Sequence, residues 1–231
     1  MKNIILISLV FGTFQLFAQD AKIDNVAFDY LQTVGNQSVL YYGKQQEGYL
    51  RASNHPYLND SQYAKARLSY CGVIYPDAML RLDLNRDELI ILSPNYHNIV
   101  LFPENVDYAE LYGRHIIYFR YDSLHGCPST GYYIILHSGN CKVLEKQTAT
   151  LAVKNTGNTT LENYYVFKTN FYLYKDGVYH NIWNKSGLLK VLYPYKKELK
   201  HFISTNRLNF RRNAEEFLIR IVSEYEKLSG L

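Results

Sequence analysis

Between residues 67 and 145 the chain is a succession of short apolar segments, each cut off by turn residues. They fall at 73–75, 79–84, 89–92, 99–102, 115–119, 132–136 and 143–144. Short runs punctuated in this way are how an antiparallel sheet of consecutive hairpins reads. Within 79–84 a period of two puts Leu80, Leu82 and Leu84 on one face and Met79, Arg81 and Asp83 on the other. Asn85-Arg86 supplies the turn that follows, Gly113 permits a reversal before Arg114, and Gly139-Asn140 joins 131–137 to 141–148. Asp176-Gly177 is the strongest two-residue turn signal; it pairs Tyr174 with Tyr179, Leu173 with His180 and Tyr172 with Asn181.

Ahead of the sheet, 27–33 and 38–42 have strand character around a Gly35-Asn36 turn. Residues 45–65 are polar and irregular, with His55-Pro56 biasing the chain away from helix. They read as a loop long enough to suggest function or mobility. Residues 154–163, with one apolar side chain, read as a second mobile loop. After Asn184 the period changes to that of helices. Ser186 can cap a short helix through Tyr193, and Pro194 suits the start of the next, whose stripe is Tyr195, Leu199, Phe202 and Ile203. The last helix, over 210–228, carries Ala214, Phe217, Leu218, Ile221, Val222, Tyr225 and Leu228 on one face, with Glu216 and Arg220 paired outside it.

Residues 1–18 read as a secretory signal: Lys2 gives a positive start, 4–17 are mostly apolar, and Ala18 is a small residue before a cut. A short membrane anchor is the alternative, but no long apolar run follows. Removing this segment takes away one Lys and no acid, so the formal charge falls from +4 to +3, too little to argue for nucleic acid. Basic residues nevertheless collect late, at Lys196, Lys197, Lys200, Arg207, Arg211 and Arg212. That pattern reads first as a solvated helix face and second as a surface for an acidic partner or a membrane. The three cysteines, Cys71, Cys127 and Cys141, cannot all pair within the chain. Extending the hairpin register sets Cys127 opposite a residue near 152 rather than Cys141, so idle thiols compete with a bridge. Their spacing is not that of a zinc site.

Tyrosine is the compositional outlier, at 23 residues. Such rings suit half-buried strands. In the 164–184 hairpin, Tyr172, Tyr174, Tyr179 and Trp183 share one face. This strip is the candidate site for a ligand or partner; the competing reading packs it under the helices that follow. No nucleophile elbow, phosphate-cradling loop or paired metal-ligating His is present. Asp83 and Asp87 flank a turn and read as solvated acids, and His125 lies two residues from Cys127 without a third group to orient the pair. No catalytic residue is assigned.

The segments Val73-Ile74-Tyr75, Leu82-Asp83-Leu84, Asn98-Ile99-Val100-Leu101 and Gly113-Arg114-His115 form half of a wider pattern. Its other half is the run from Phe171 to Tyr179, then Lys196-Lys197-Glu198-Leu199, Leu208-Asn209-Phe210-Arg211 and Tyr225. Together they resemble uncharacterised exported proteins of the Bacteroidetes bacteria, often encoded near TonB-dependent outer-membrane receptors. The resemblance spans most of the chain after residue 18. It implies export and a sheet-then-helices order, and brings no activity or site residue. It also makes Asp122-Ser123-Leu124 a match to the O-glycosylation signal of such bacteria, against the plain-loop reading.

The fold expected is α+β: a largely antiparallel, curved sheet of consecutive hairpins followed by a C-terminal helical segment packed on it. Residues 1–18 are the signal peptide and 19–231 a single domain, mainly β to residue 184 and helical from 185. The function expected is that of a non-enzymatic exported protein of the periplasm or outer-membrane periphery. It binds a partner, such as an envelope or outer-membrane protein, or a ligand. No cofactor, metal, nucleic acid or transmembrane segment after cleavage is expected. Two alternatives remain: a carrier of an apolar ligand between sheet and helices, and a secreted hydrolase.

Overall fold

A computed structural model describes residues 38–121, 129–155 and 161–230. Among these residues eleven strands form one antiparallel sheet, and three helices follow. The strands are β1 (Lys44–Gln45), β2 (Ala64–Tyr70), β3 (Val73–Asp83), β4 (Glu88–Leu92), β5 (Asn98–Val100), β6 (Val106–Leu111), β7 (Arg114–Phe119), β8 (Gly131–Ser138), β9 (Lys142–Asn155), β10 (Leu161–Lys175) and β11 (Val178–Asn181). The helices are α1 (Lys185–Val191), α2 (Lys196–Thr205) and α3 (Ala214–Ser229). The spatial order is β1-β5-β4-β3-β2-β6-β7-β8-β9-β10-β11. Two runs of hairpins therefore meet at β2. The chain climbs from β2 to β5, returns past a 3-10 turn at Pro103–Asn105, and lays β6 on the other side of β2.

The leucine alternation in β3 is realised, with Leu80, Leu82 and Leu84 buried in the main core beside Leu68, Leu89, Leu101 and Ile116. Pro76 does not divide β3. It sits where the β2–β3 register slips between Ala66 and Leu68, a bulge that needs no N–H from it. The sheet curls until the β3–β4 turn meets β9: the Ala149 N–H donates to the Leu84 carbonyl (2.9 Å), and Asn85 Nδ2 donates to the Ala149 carbonyl (2.8 Å).

That curl buries Asp83 and half-buries Asp87, correcting their reading as solvated acids. Asp83 is fully buried; Oδ1 accepts from the Asn85 and Arg86 N–H groups and Oδ2 from the Tyr49 hydroxyl at 2.5 Å. Asp87 takes a different partner, the buried ammonium of Lys146 at 2.6 Å. A Cβ at Gly131 would collide with both members of that pair, so only glycine allows the approach.

Three expected loops or strands differ. Residues 38–42 are not a strand: Ser38 caps a 3-10 turn, Val39–Tyr41, that drives Leu40 into the core. The polar 45–65 stretch is irregular but pinned. Ser53 and Asn54 bond along β10 at Asn163 and Tyr165, Tyr57 bridges to Asp83, and Leu58 is buried. Half of the mobile loop expected at 154–163 is strand, since residues 154–155 and 161–163 belong to β9 and β10, which stay paired from Tyr174↔Lys142 out to Leu161↔Asn155; residues 156–160 lie outside those described. The expected signal peptide, the 27–33 strand, Asp122-Ser123-Leu124, His125 and Cys127 lie outside the described residues. Cys71 is an exposed free thiol and Cys141 a buried one.

The helices cover one face of the β8–β11 end. Val143, Leu173 and Ile182 meet Leu188, Leu189, Leu192, Leu199, Phe217, Leu218, Ile221 and Val222 in a second core. Helix α3 begins later than residue 210, at an Asn213 cap whose side chain accepts from the Glu216 N–H. Two carboxylates eleven positions apart then clamp α3 to the sheet. Glu215 binds Arg114 of β7 at 2.8 Å, and Arg114 also binds the buried Glu145 of β9 at 2.8 Å. Three turns on, Glu226 binds His137 Nε2 and accepts from the Cys141 N–H, both at 2.8 Å. Among the described residues no helix is long and apolar enough to cross a membrane.

Candidate functional site

The aromatic strip is assembled in the expected register, Tyr172↔Asn181 and Tyr174↔Tyr179. It lies on the reverse of the sheet from the helices, since neighbours Leu173 and Val143 belong to the helix-side core while Tyr172 and Leu144 pack with Tyr133. The expectation that the strip packs under the helices is therefore wrong. It is not a uniform exposed surface either. Tyr172 is 8 % exposed, its ring centroid 6.0 Å from that of Tyr133. Tyr174 and Tyr179 are half-buried and lean on each other at 4.7 Å. Of the four, Trp183 alone is mostly exposed, at 63 %, with Lys168 Nζ over its ring at 5.7 Å.

The buried charges are committed to holding the fold. Burial pushes the Lys146 ammonium below its usual value against the raising effect of Asp87, and pushes the Glu145 carboxyl above its usual value against Gln147 and Arg114. Burial and Asp83 raise the Tyr49 phenol, and burial raises the Cys141 thiol. Among the described residues no group of three or more His, Cys, Asp or Glu is placed to hold a metal ion.

A different arrangement emerges among the helices. A cleft of about 660 Å³ is lined by Asn184, Lys185, Ser186, Leu189, Lys196, Lys200, Leu208, Asn209, Phe210 and Arg211. Three segments build it. In α1, Leu188 and Leu189 bury against the sheet, which brings Lys185 and Ser186 of the first turn to the mouth. In α2, Leu199 and Ile203 face the core, leaving Lys196 and Lys200 side by side at i and i+4. Like charges at that spacing oppose each other. The α2–α3 connection is anchored by Phe210, whose ring meets Phe171 at 6.2 Å and Phe217 at 5.6 Å, and this fixes Arg211 at the rim.

Among the described residues the lining holds four cations and no acid. Among the described residues none of the four has a carboxylate within ion-pair distance, whereas Lys44, Lys65, Lys146, Lys154, Lys175 and Lys227 each do. The polar side chains are also biased. Asn184 Oδ1 accepts from the Gly187 N–H (2.9 Å), and Asn209 Oδ1 from the Arg211 and Arg212 N–H groups (2.9 and 3.3 Å). Asn209 thus keeps only its NH₂ to offer, while Asn184 keeps its NH₂ and one acceptor site. Leu208 and Phe210, both half-buried, supply apolar surface above the buried Leu189. The late basic cluster contained three of the cations, Lys196, Lys200 and Arg211; Lys185 and the two asparagines were missed. The available signal was that residues 185–213 hold eight basic residues against Glu198 alone, a formal +7 in a chain of net +4.

A second cavity, of about 640 Å³, lies between β3 and the Val39–Tyr41 turn and is lined by Leu40, Tyr41, Tyr75, Met79 and Tyr96 among others. It is not the space between sheet and helices foreseen for an apolar cargo, where Val143, Leu173, Phe217 and Leu218 pack together.

No protein-family model, no curated protein and no solved structure matches this chain.

Proposed function

We propose that this protein is an exported, non-catalytic binding protein of the bacterial envelope, and that it captures an anionic ligand or partner at its helical end. One observation carries the binding part: four cations line one cleft with no described carboxylate to neutralise them. Positive charge left uncompensated in a concavity costs stability through self-repulsion, and it attracts and concentrates anions. The export part rests on Lys2, the apolar 4–17 segment and the resemblance to exported proteins. The non-catalytic part is supported by where the titratable groups go. Asp83, Asp87, Lys146, Arg114, Glu145, Glu215, His137 and Glu226 each bind one another or the backbone, and among the described residues the cleft lining includes no acid, His or Cys to act as a base.

Retention on an immobilised polyanion tests the binding part. Lys196→Glu/Lys200→Glu should elute at clearly lower salt than wild type. Lys44→Glu/Lys65→Glu, with the same change in net charge on the sheet, should elute later than the cleft variant. Equal elution of the two variants would mean that net charge, not the cleft, is what the matrix reads. N-terminal sequencing of envelope protein should begin at or near Gln19; Met1 retained would defeat the export part.

A further inference from the structure

We propose that the cleft is a site for a phosphate ester: a doubly charged phosphoryl head held by the cations, joined to an apolar body resting on Leu208 and Phe210. This rests on the reading of the cleft as the binding site and names its ligand class. Three features of the lining select that class.

Charge count comes first. Lys185, Lys196, Lys200 and Arg211 converge from three separate segments on one concavity. A single carboxylate neutralises one of them, whereas a phosphate monoester is close to doubly charged at pH 7, its second pKa being about 6. Donor polarity comes second. With its carbonyl oxygen bound to two backbone N–H groups, Asn209 presents only NH₂ donors, and with the four cations it makes the polar groups of the lining mainly donors. Such a surface fits a group that only accepts, as a phosphoryl head does with its oxygens, and penalises hydroxyl or amide groups that must donate. Arg211 adds a planar fork suited to two phosphoryl oxygens, and the lysines add point charges. Third, the apolar side chains distinguish an ester from free phosphate. About 660 Å³ exceeds what an inorganic anion fills and lies in the range of small-molecule sites.

The class is tested by isothermal titration of the full chain after residue 18 with phenyl phosphate, benzoate and inorganic phosphate at one ionic strength. Phenyl phosphate should bind one per chain, about tenfold or more tighter than either benzoate or inorganic phosphate. Lys200→Glu/Arg211→Glu should weaken it by about tenfold or more with thermal unfolding unchanged. Benzoate binding as tightly as phenyl phosphate would overturn the double-charge argument. Inorganic phosphate binding as tightly would overturn the apolar body. Vesicles of phosphatidylglycerol and phosphatidylcholine separate a membrane source from a soluble one. If such vesicles capture the protein through these cations while phenyl phosphate does not bind, the soluble ester is wrong and the anion-binding function stands. If neither these probes nor a polyanion binds, both readings fall.

Discussion

Glu145 shows how a single residue ties sheet and helix together. Its side chain is buried, Arg114 reaches it at 2.8 Å, and the same guanidinium reaches Glu215 on α3. Glu145→Gln keeps the shape and removes the charge, leaving Arg114 only its half-exposed partner. We expect a loss of about 1–3 kcal/mol, the usual cost of breaking a buried charged hydrogen bond. The pH dependence has a definite sign. Burial raises the Glu145 carboxyl above its ordinary 4.5, so the fold holds this proton more tightly than the unfolded chain does. The group's contribution is full below 4.5 and declines as pH rises through the folded value. Urea unfolding at about pH 4 and about pH 7 should therefore show the larger wild-type advantage at the acid end. An advantage that grows with pH would mean that Arg114, not burial, governs the carboxyl.

At the scale of elements, the last helix and the β10–β11 hairpin make opposite predictions for their largest rings. Phe217 is fully buried between α3 and the sheet, so Phe217→Ala should cost about 3–5 kcal/mol by chemical denaturation. Trp183 lies past the end of β11 with most of its ring in water, so Trp183→Ala should change stability by less than about 0.5 kcal/mol. Similar costs at the two positions would contradict the placement of the helices on one face only. Both elements were legible in the sequence because their signals are local. Asp176-Gly177 adopts the left-handed pair of φ values, +51° and +82°, that a two-residue hairpin turn requires. The α3 stripe repeats every three to four residues, and Phe217, Leu218, Ile221, Val222 and Tyr225 are buried as it demands. The length of β9 and β10 was not legible. Lys154 and Glu162 look like loop residues until the register sets them opposite each other, where they pair at 3.1 Å. Asp83 was misjudged for a related reason: what buries it are Tyr49 and Tyr57, from a stretch that locally reads as a loop.

Charge is the property that organises the molecule as a whole. Residues 185–213 carry a formal +7, so the remainder of the chain carries −3. Arg114, Glu145, Asp87 and Lys146 pair within the sheet half, while the helical end leaves four cations lining one cleft. Composition showed the cluster, but the cleft depends on how α1, α2 and the connection held by Phe210 pack, which no linear spacing displays. The most direct test is a titration of ¹⁵N-labelled protein with phenyl phosphate, followed by amide chemical shifts. The largest changes should fall at residues 184–189, 196–200 and 208–211. Changes concentrated instead around Tyr41, Tyr75 and Tyr96, or along Tyr172, Tyr174 and Tyr179, would contradict the helical end as the binding site.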